Sequence, residues 1–148
     1  MNPTIQFLPN KTLKVDDGLN IVTYRYASFG DRFLARFLDV LIMFIPSSFL
    51  PFIGPWLYWS FMQSSPDQAT VGQKAMSIKL ISDNGRQVSF GQATGRFFAD
   101  WLNLLTFFIG YFLFFFDSHN QCLHDKLAGV YVVKEIGRSA NIDLIGRN

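Results

Sequence analysis

The sequence has few charged residues, a single cysteine and a single glutamate. Charged side chains make up 16% of its 148 residues, against about 25% in an average soluble domain. The lone Cys122 excludes an intramolecular disulfide framework. The lone Glu135 gives little support for hydrolysis by paired carboxylates. A net charge of +2 is too small to indicate a nucleic-acid partner.

Basic residues are missing from two long stretches of the chain. No Lys or Arg occurs between Phe37 and Gln73, or between Phe97 and Asp125. Hydrophobic residues make up 49% of the sequence, and seventeen of them are phenylalanine. The N-terminal segment lacks the apolar core of a cleavable signal peptide. We therefore expect the first apolar stretch itself to direct the chain into a membrane.

Proline interrupts that first apolar stretch. Because Pro46, Pro51 and Pro55 disfavour one straight helix, we predict two helices, Asp31–Ile45 and Phe52–Met62. Each is shorter than the ~20 residues of a spanning helix. Either the first helix continues to the start of the second, or the pair forms a tight or re-entrant hairpin.

The second apolar stretch, residues 91–116, is either one long helix or a second hairpin that turns at Ile109-Gly110. Loops rich in Lys and Arg prefer the cytoplasmic side of a membrane. Because the N-terminal, middle and C-terminal segments all carry basic residues, this rule favours the hairpin. We predict an all-α membrane protein of two helical hairpins, with three to four membrane segments, in the cell (inner) membrane with both termini cytoplasmic.

A small cytoplasmic β-sheet accompanies the predicted helices. Thr12–Val15 and Asn20–Tyr26 flank an Asp-Gly turn and predict a hairpin, with a disordered leader as the alternative. Alternation on both sides of Asn84-Gly85 predicts a second hairpin, to which a strand at Val130–Val133 could add. We divide the chain into a soluble N-terminal segment (1–28), a membrane domain (29–135) and a flexible tail (136–148).

Charged residues recur on one helical face at the start of each apolar stretch. Ionisable groups at membrane depth are rare and usually face a protein interior or a water-filled cavity. In the first stretch the spacing is i, i+4, i+7; the second repeats it and adds Phe107 at i+11. We name these residues, Phe107 excepted, the polar seam: Arg32, Arg36, Asp39, Arg96, Asp100 and Asn103.

The polar seam predicts a crossed pairing between the two stretches. We expect Asp39 near Arg96, and Asp100 near Arg32 or Arg36, because a buried charge needs a partner. In the structural interpretation, these pairs only fix the packing of the helices. In the functional interpretation, Asp39 or Asp100 gains and loses a proton or a monovalent cation.

His119, Cys122 and His124, flanked by Asp117 and Asp125, resemble a cluster of metal ligands. Their spacing is not a specific zinc pattern, which usually shows two separated ligand pairs. We therefore predict no metal and no cofactor. We expect His124 and Asp125 to brace the junction between the last helix and the strand after it.

Several motifs together resemble one family of membrane proteins, the RDD family. Its name refers to one Arg and two Asp, which fit Arg32, Asp39 and Asp125 here. The resemblance implies a polytopic membrane protein, usually with three predicted spans, and some relatives are linked to cation/proton antiport. Cys122 and Val130 replace expected threonines. The motifs in order are Arg32…Ala35…Asp39, Thr70-Val71-Gly72-Gln73-Lys74, Asp83-Asn84-Gly85, Arg96 and the run from Cys122 to Val133.

Two functions follow as hypotheses, because a fold or a family does not by itself settle function. The first is a small cation/proton transporter that acts as a homo-oligomer on a monovalent cation or a proton. The second is a non-catalytic membrane scaffold whose seam pairs are structural and whose sheet docks a membrane protein partner. Contact with membrane lipid is expected in both, lipid handling has only composition to support it, and we expect no enzymatic activity.

Overall fold

The computed structural model describes residues 3–106 and 108–140, which form a mixed α/β fold. A five-stranded antiparallel sheet carries a layer of helices. In chain order the elements are β1 (Thr4–Leu8), β2 (Thr12–Asp16), β3 (Asn20–Tyr26), α1 (Phe29–Phe49), α2 (Ile53–Ser64), α3 (Val71–Ala75), β4 (Ile78–Ser82), α4 (Phe90–Leu105), α5 (Ile109–Phe116), α6 (Leu123–Ala128) and β5 (Val130–Ala140).

The predicted all-α class is wrong, because all five strands join one sheet in the order β1-β2-β3-β5-β4. β5 covers 11 residues and pairs with β3 on one side and β4 on the other. Each exposed strand edge carries unpaired N–H and C=O groups, and β5 satisfies two such edges at once. It also runs through residues 136–140 of the predicted tail, while residues 141–148 lie outside the described part of the chain.

Among the described residues, no single helix is both long and apolar enough to cross a membrane. One bent pair meets the requirement by length and composition, and it joins α4 to α5 at an angle of 106°.

The predicted hairpin near the N-terminus is confirmed. In the ladder between β2 and β3, Leu13 faces Tyr24 and Val15 faces Val22. The alternation of more and less buried positions therefore sets the register between β2 and β3, as expected for strands with one buried face.

The hairpin predicted around Asn84-Gly85 is wrong in its second half, because residues 86–88 form no strand. β4 pairs with β5 instead, with Leu80 opposite Val132. The Ser89 hydroxyl accepts the N–H of Gln92 at 3.1 Å and so begins α4. This cap leaves too few residues between the turn and the helix for a strand.

Two helices occupy the first apolar stretch, as predicted. α1 extends four residues beyond the expected Ile45 and contains Pro46, and it ends before Pro51. A residue that precedes proline is disfavoured in the helical region, so the break before Pro51 follows from the sequence. The second apolar stretch breaks between α4 and α5, where Phe108 has a φ of +65°.

The core lies on both faces of the sheet. On the face toward the helices, Ala35 of α1 and Ala93 of α4 pack with Leu80 and Val132. These alanines let the helices approach the strands closely. Large apolar side chains of the helix layer remain exposed on its outer surface, which we call the outer helical face: Phe37, Leu41, Phe44, Ile45, Phe49, Phe52, Ile53, Phe98, Leu105, Ile109, Phe112 and Phe116.

Candidate functional site: a buried ionic cluster beneath a cavity

Two helices bring most of the polar seam together, and a third helix adds Asp125. We call the resulting group of charged residues the ionic cluster: Arg32 and Arg36 from α1, Arg96 and Asp100 from α4, and Asp125 from α6. Ser28 caps α1 and Ser89 caps α4, and these caps fix where each helix starts. The helical spacing of four residues then aims both charged groups of each helix at the same space.

Asp125 is the centre of the cluster and is fully buried. It accepts hydrogen bonds from Arg32 Nη1, from Arg96 Nε at 2.8 Å, and from the backbone N–H of Cys122 at 3.1 Å. Burial alone would raise the pKa of Asp125, but the two guanidinium charges outweigh it and hold that pKa well below its usual range. Asp125 is therefore a permanent anion that ties α1 and α4 to α6.

Asp100 confirms one half of the predicted crossed pairing. Its carboxylate accepts from Arg36 Nη2 at 2.5 Å and from the Tyr111 hydroxyl at 2.5 Å. Asn103 Nδ2 lies 3.3 Å from the same carboxylate. The Arg36 guanidinium also lies over the Trp59 ring, 5.0 Å from its centroid, which is cation–π geometry.

The other half of the crossed pairing is wrong, because neutral groups hold Asp39. Its carboxylate accepts from the Thr70 hydroxyl at 2.6 Å, the Gly72 N–H at 2.7 Å and the Tyr58 hydroxyl at 2.8 Å. Arg96 instead reaches Asp125 and Gln63. Asp39 therefore clamps α3 onto α1.

His124 lies between two carboxylates. Its Nδ1 is 3.3 Å from Asp100 and its Nε2 is 3.3 Å from Asp125, and Asn103 Nδ2 lies 2.7 Å from Nδ1. Burial lowers the pKa of His124 to about 4 despite these neighbours, so the ring is neutral at pH 7. If Nδ1 accepts from Asn103, the ring proton is on Nε2 and points toward Asp125.

The structure brings Cys122, His124 and Asp125 within 4.8 Å of one another, which is ligand spacing for a metal. The charges around this set oppose the binding of a cation. Arg32 and Arg96 already occupy Asp125 and place two positive charges beside it.

The other members of the predicted ligand cluster face elsewhere. The His119 ring packs against Phe7 and Tyr26, with centroids 5.1 and 5.4 Å apart. Asp117 pairs with Lys126 at 2.6 Å. The five residues that resemble a ligand cluster in the sequence therefore separate into two groups, since Asp117 and His119 precede α6, whereas Cys122, His124 and Asp125 lie at its start.

A cavity of about 360 Å³ lies above the cluster. Arg32, Arg36 and His124 form part of its polar wall, and Phe29, Phe33 and Phe114 form part of its apolar wall. Of the charged groups in the wall, Arg36 is the most exposed, with 38% of its side chain accessible against 13% for Arg32. The cavity is large enough for a small ligand.

Sequence reasoning missed the three partners of Asp39, because it searched for charges. Two signals were available. Thr70-x-x-Gln73 is a capping-box sequence, and Thr70 and Gln73 do cap α3 reciprocally. Gly72 lies in the motif that carries the family resemblance, and the structure explains that glycine by its contact with Asp39.

A sequence model of the RDD family matches residues 46–129, more than half of the chain. The chain therefore belongs to the RDD family, whose members are generally membrane-associated. The matched residues include Thr70–Lys74, Arg96 and Asp125, while Arg32 and Asp39 precede them. Their assignment as the family's Arg and first Asp stays a prediction.

The chain is also similar to the uncharacterized protein YxaI of Bacillus subtilis (strain 168). The two are 29% identical over 103 residues, which cover 70% of this chain. The aligned part spans 66% of the length of that relative. No solved structure matches the chain.

Proposed function

We propose that this chain is a membrane-seated scaffold, with its outer helical face in lipid and its sheet in the cytoplasm. The observation that carries this proposal is the outer helical face. Phe44 is 73% exposed and Phe49 is 81% exposed, among many other large apolar side chains. Monomeric soluble proteins rarely expose contiguous apolar patches larger than about a few hundred Å². Lipid chains are the occupant that fits, because the stretch from Phe37 to Gln73 contains no Lys or Arg.

The sheet supports a single orientation of the chain in the membrane. β1–β3, β4 and β5 come from the N-terminal, middle and C-terminal segments, and they pair in one sheet. In this proposal the three segments lie on one side of the membrane. They hold the basic residues outside α1 and α4, and loops rich in Lys and Arg favour the cytoplasm. In this arrangement each apolar stretch enters the lipid from the sheet side and bends back.

The ionic cluster supports a scaffold role over ion transport. Asp39 accepts from three donors, and Asp125 from two arginines and a backbone N–H. A cation that used either carboxylate would have to displace these donors from a buried site. The fixed pairs stabilise the arrangement of helices on the sheet, which a docking partner, either a second copy or another membrane protein, would then recognise.

One observation favours cation/proton exchange as a second candidate. His124 contacts both Asp100 and Asp125 at 3.3 Å and lines the cavity. A neutral imidazole between two carboxylates can accept a proton on one nitrogen and release one from the other. Such a relay would couple proton transfer to a ligand in the cavity.

Vesicle flotation tests the membrane seating. Phe44→Glu places a charge on the outer helical face, and Leu19→Glu is its matched control, because Leu19 is also 73% exposed but lies beside the sheet. We expect the Phe44 variant to lose most of its binding to phospholipid vesicles and the Leu19 variant to keep it. Equal flotation of both variants would contradict the proposal.

Proton flux in proteoliposomes separates the two candidates. Sodium, potassium or lithium gradients are imposed on vesicles that carry the wild type, Asp100→Asn or Asp67→Asn. Asp67 is the control, because it pairs with Lys74 on the exposed surface. The scaffold proposal predicts no cation-dependent flux in any sample. Flux that disappears only in Asp100→Asn would establish the transporter.

A further inference from the structure

The cavity above the ionic cluster has the chemistry of a site for an anionic amphiphile. We propose that it binds a molecule with one carboxylate or phosphate head group and one acyl chain, the head group at Arg36 and the chain along Phe29, Phe33 and Phe114. This inference concerns a ligand rather than a scaffold, and it does not depend on how the outer helical face contacts lipid.

The arginines supply donors that the protein does not use. Within residues 3–106 and 108–140, Arg36 donates through Nη2 alone, to Asp100, and 38% of its side chain is exposed. Arg32 uses both Nη atoms, for Asp125 and the carbonyl of Asn120. Its Nε is buried and has no hydrogen-bond partner among the described residues. An unpaired buried donor is costly, and an anionic oxygen would satisfy it.

The carboxylates around the cavity do not cancel this attraction at its mouth. Asp39 and Asp125 are at most 1% exposed, and each is saturated by its own donors. Asp100 is 19% exposed against 38% for Arg36. A ligand that enters from outside therefore meets the guanidinium of Arg36 first. Arginine suits this task, since its planar fork binds carboxylate and phosphate with two parallel hydrogen bonds.

Part of the cavity wall is aromatic and suits an acyl chain. Phe29 stacks on Phe33 with centroids 6.3 Å apart, and Phe29 also contacts Phe114 at 6.1 Å. Phe33 is 59% exposed although it lines the cavity. A small inorganic anion would leave this apolar wall uncovered, whereas an acyl chain would cover it.

Trp59 provides a reporter inside the cavity. It lines the cavity beneath Arg36, while Trp56 and Trp101 line a separate apolar groove. In a Trp56→Phe, Trp101→Phe background, Trp59 is the remaining tryptophan of the chain. Bromine quenches tryptophan fluorescence at short range, so 2-bromoundecanoate, whose bromine lies beside the carboxylate and therefore near Arg36 and Trp59, reports directly on occupancy. The full chain is titrated in a nonionic detergent, which makes the assay independent of vesicle binding.

We expect saturable quenching by 2-bromoundecanoate, with at least about tenfold weaker binding of 2-bromoundecanol, which lacks the charge. Arg36→Gln should weaken binding of the acid by about tenfold, because a charge-assisted hydrogen bond is lost. Arg25→Gln, which removes a surface cation paired with Asp31, should leave the dissociation constant unchanged. Dissociation constants, not intensities, are compared, because Arg36 itself contacts Trp59.

A second pair of variants tests the chain-binding wall without touching the ionic cluster. Phe33→Ala should weaken binding of the acid about fivefold. Phe44→Ala, on the same helix but outside the cavity, should not change it. Equal binding of the acid and the alcohol, or unchanged binding by Arg36→Gln and Phe33→Ala, would overturn the proposal. Competition by inorganic phosphate at the same concentration as the acid would also overturn it, because the acyl chain would then contribute nothing.

Discussion

Gly72 lies so close to Asp39 that no side chain fits between them. The Gly72 N–H donates to Asp39 Oδ1 at 2.7 Å, and a Cβ on Gly72 would come within 2.8 Å of that oxygen and collide with the Ala35 carbonyl. The contact holds α3 on α1. It explains why a glycine stands between Thr70 and Lys74.

Gly72→Ala should therefore destabilise the protein by about 1 to 3 kcal/mol, since overpacking forces the backbone apart. Gly95→Ala is the matched control, because a Cβ there has no neighbour within 4 Å. That variant should gain about 0.5 to 1 kcal/mol, the ordinary helical advantage of alanine. Guanidinium unfolding in detergent micelles measures both. A Gly72 variant as stable as Gly95→Ala would refute the close contact.

Asp125→Asn should cost about 3 to 5 kcal/mol of unfolding free energy, because it leaves buried arginines without a counter-charge. Arg32 and Arg96 are the groups concerned. Asp67→Asn breaks an exposed pair with Lys74 and should cost less than about 1 kcal/mol. The same unfolding titration compares the two variants. Similar losses of unfolding free energy would mean that Asp125 is not the centre of the ionic cluster.

Asp39→Ala should cost about 2 to 4 kcal/mol, because three donors lose their acceptor. Asp39→Asn keeps an acceptor oxygen at the site and should cost less. Hydrogen exchange offers a local readout. The Gly72 amide should exchange faster in the alanine variant, while amides of β2 keep their protection. Unchanged exchange at Gly72 would show that Asp39 does not hold α3.

Stability should fall as the pH drops from about 6.5 to 4. Burial lowers the pKa of His124 from 6.5 to about 4, so in this window the unfolded chain binds a proton that the folded chain does not. The loss is about 1.4 kcal/mol per pH unit, or about 3 kcal/mol in all. Below pH 4 the His124 ring is protonated in both the folded and the unfolded chain, so it causes no further loss of stability.

Thermal unfolding across this range tests the assignment. The groups that face His124 are Asp100, Asp125 and Arg96. Burial raises and the arginine charges lower the pKa of Asp125, with a net decrease, so its contribution is lost only at more acidic pH. His124→Gln should flatten the curve between pH 6.5 and 4, because the substitution removes the group whose pKa differs between the folded and unfolded chain. A slope unchanged by His124→Gln would assign it to another group.

Local signals in the sequence predicted local structure well. The β2–β3 hairpin followed from alternation around an Asp-Gly turn, and the break between α1 and α2 followed from Pro51. The pairing of Asp100 with an arginine of α1 also followed, because few other charges in the apolar stretches could satisfy it, but only the structure chooses Arg36 over Arg32. These features depend on short spacing or on the high cost of a buried charge.

Features that join distant segments were not predictable in the same way. β5 pairs with β3 across more than a hundred residues, and no pattern within β5 indicates this partner, whereas its pairing with β4 agrees with the prediction that the strand could add to the middle hairpin. Asp39 is saturated by neutral donors, which a search for opposite charges cannot find. The all-α prediction failed because it did not join the N-terminal strands to the others, whereas backbone groups of β3 and β5 satisfy one another.

The position of β5 fixes an order of assembly. β3 and β4 do not pair with each other; β5 lies between them, and α6, which carries Asp125, precedes it directly. During synthesis the ribosome releases both apolar stretches before either of these elements. Arg32 and Arg96 must therefore wait without their shared counter-ion until α6 has been made. The pair α6 and β5, which follows both apolar stretches in the chain, thus completes the packing of the helices and the pairing of the sheet.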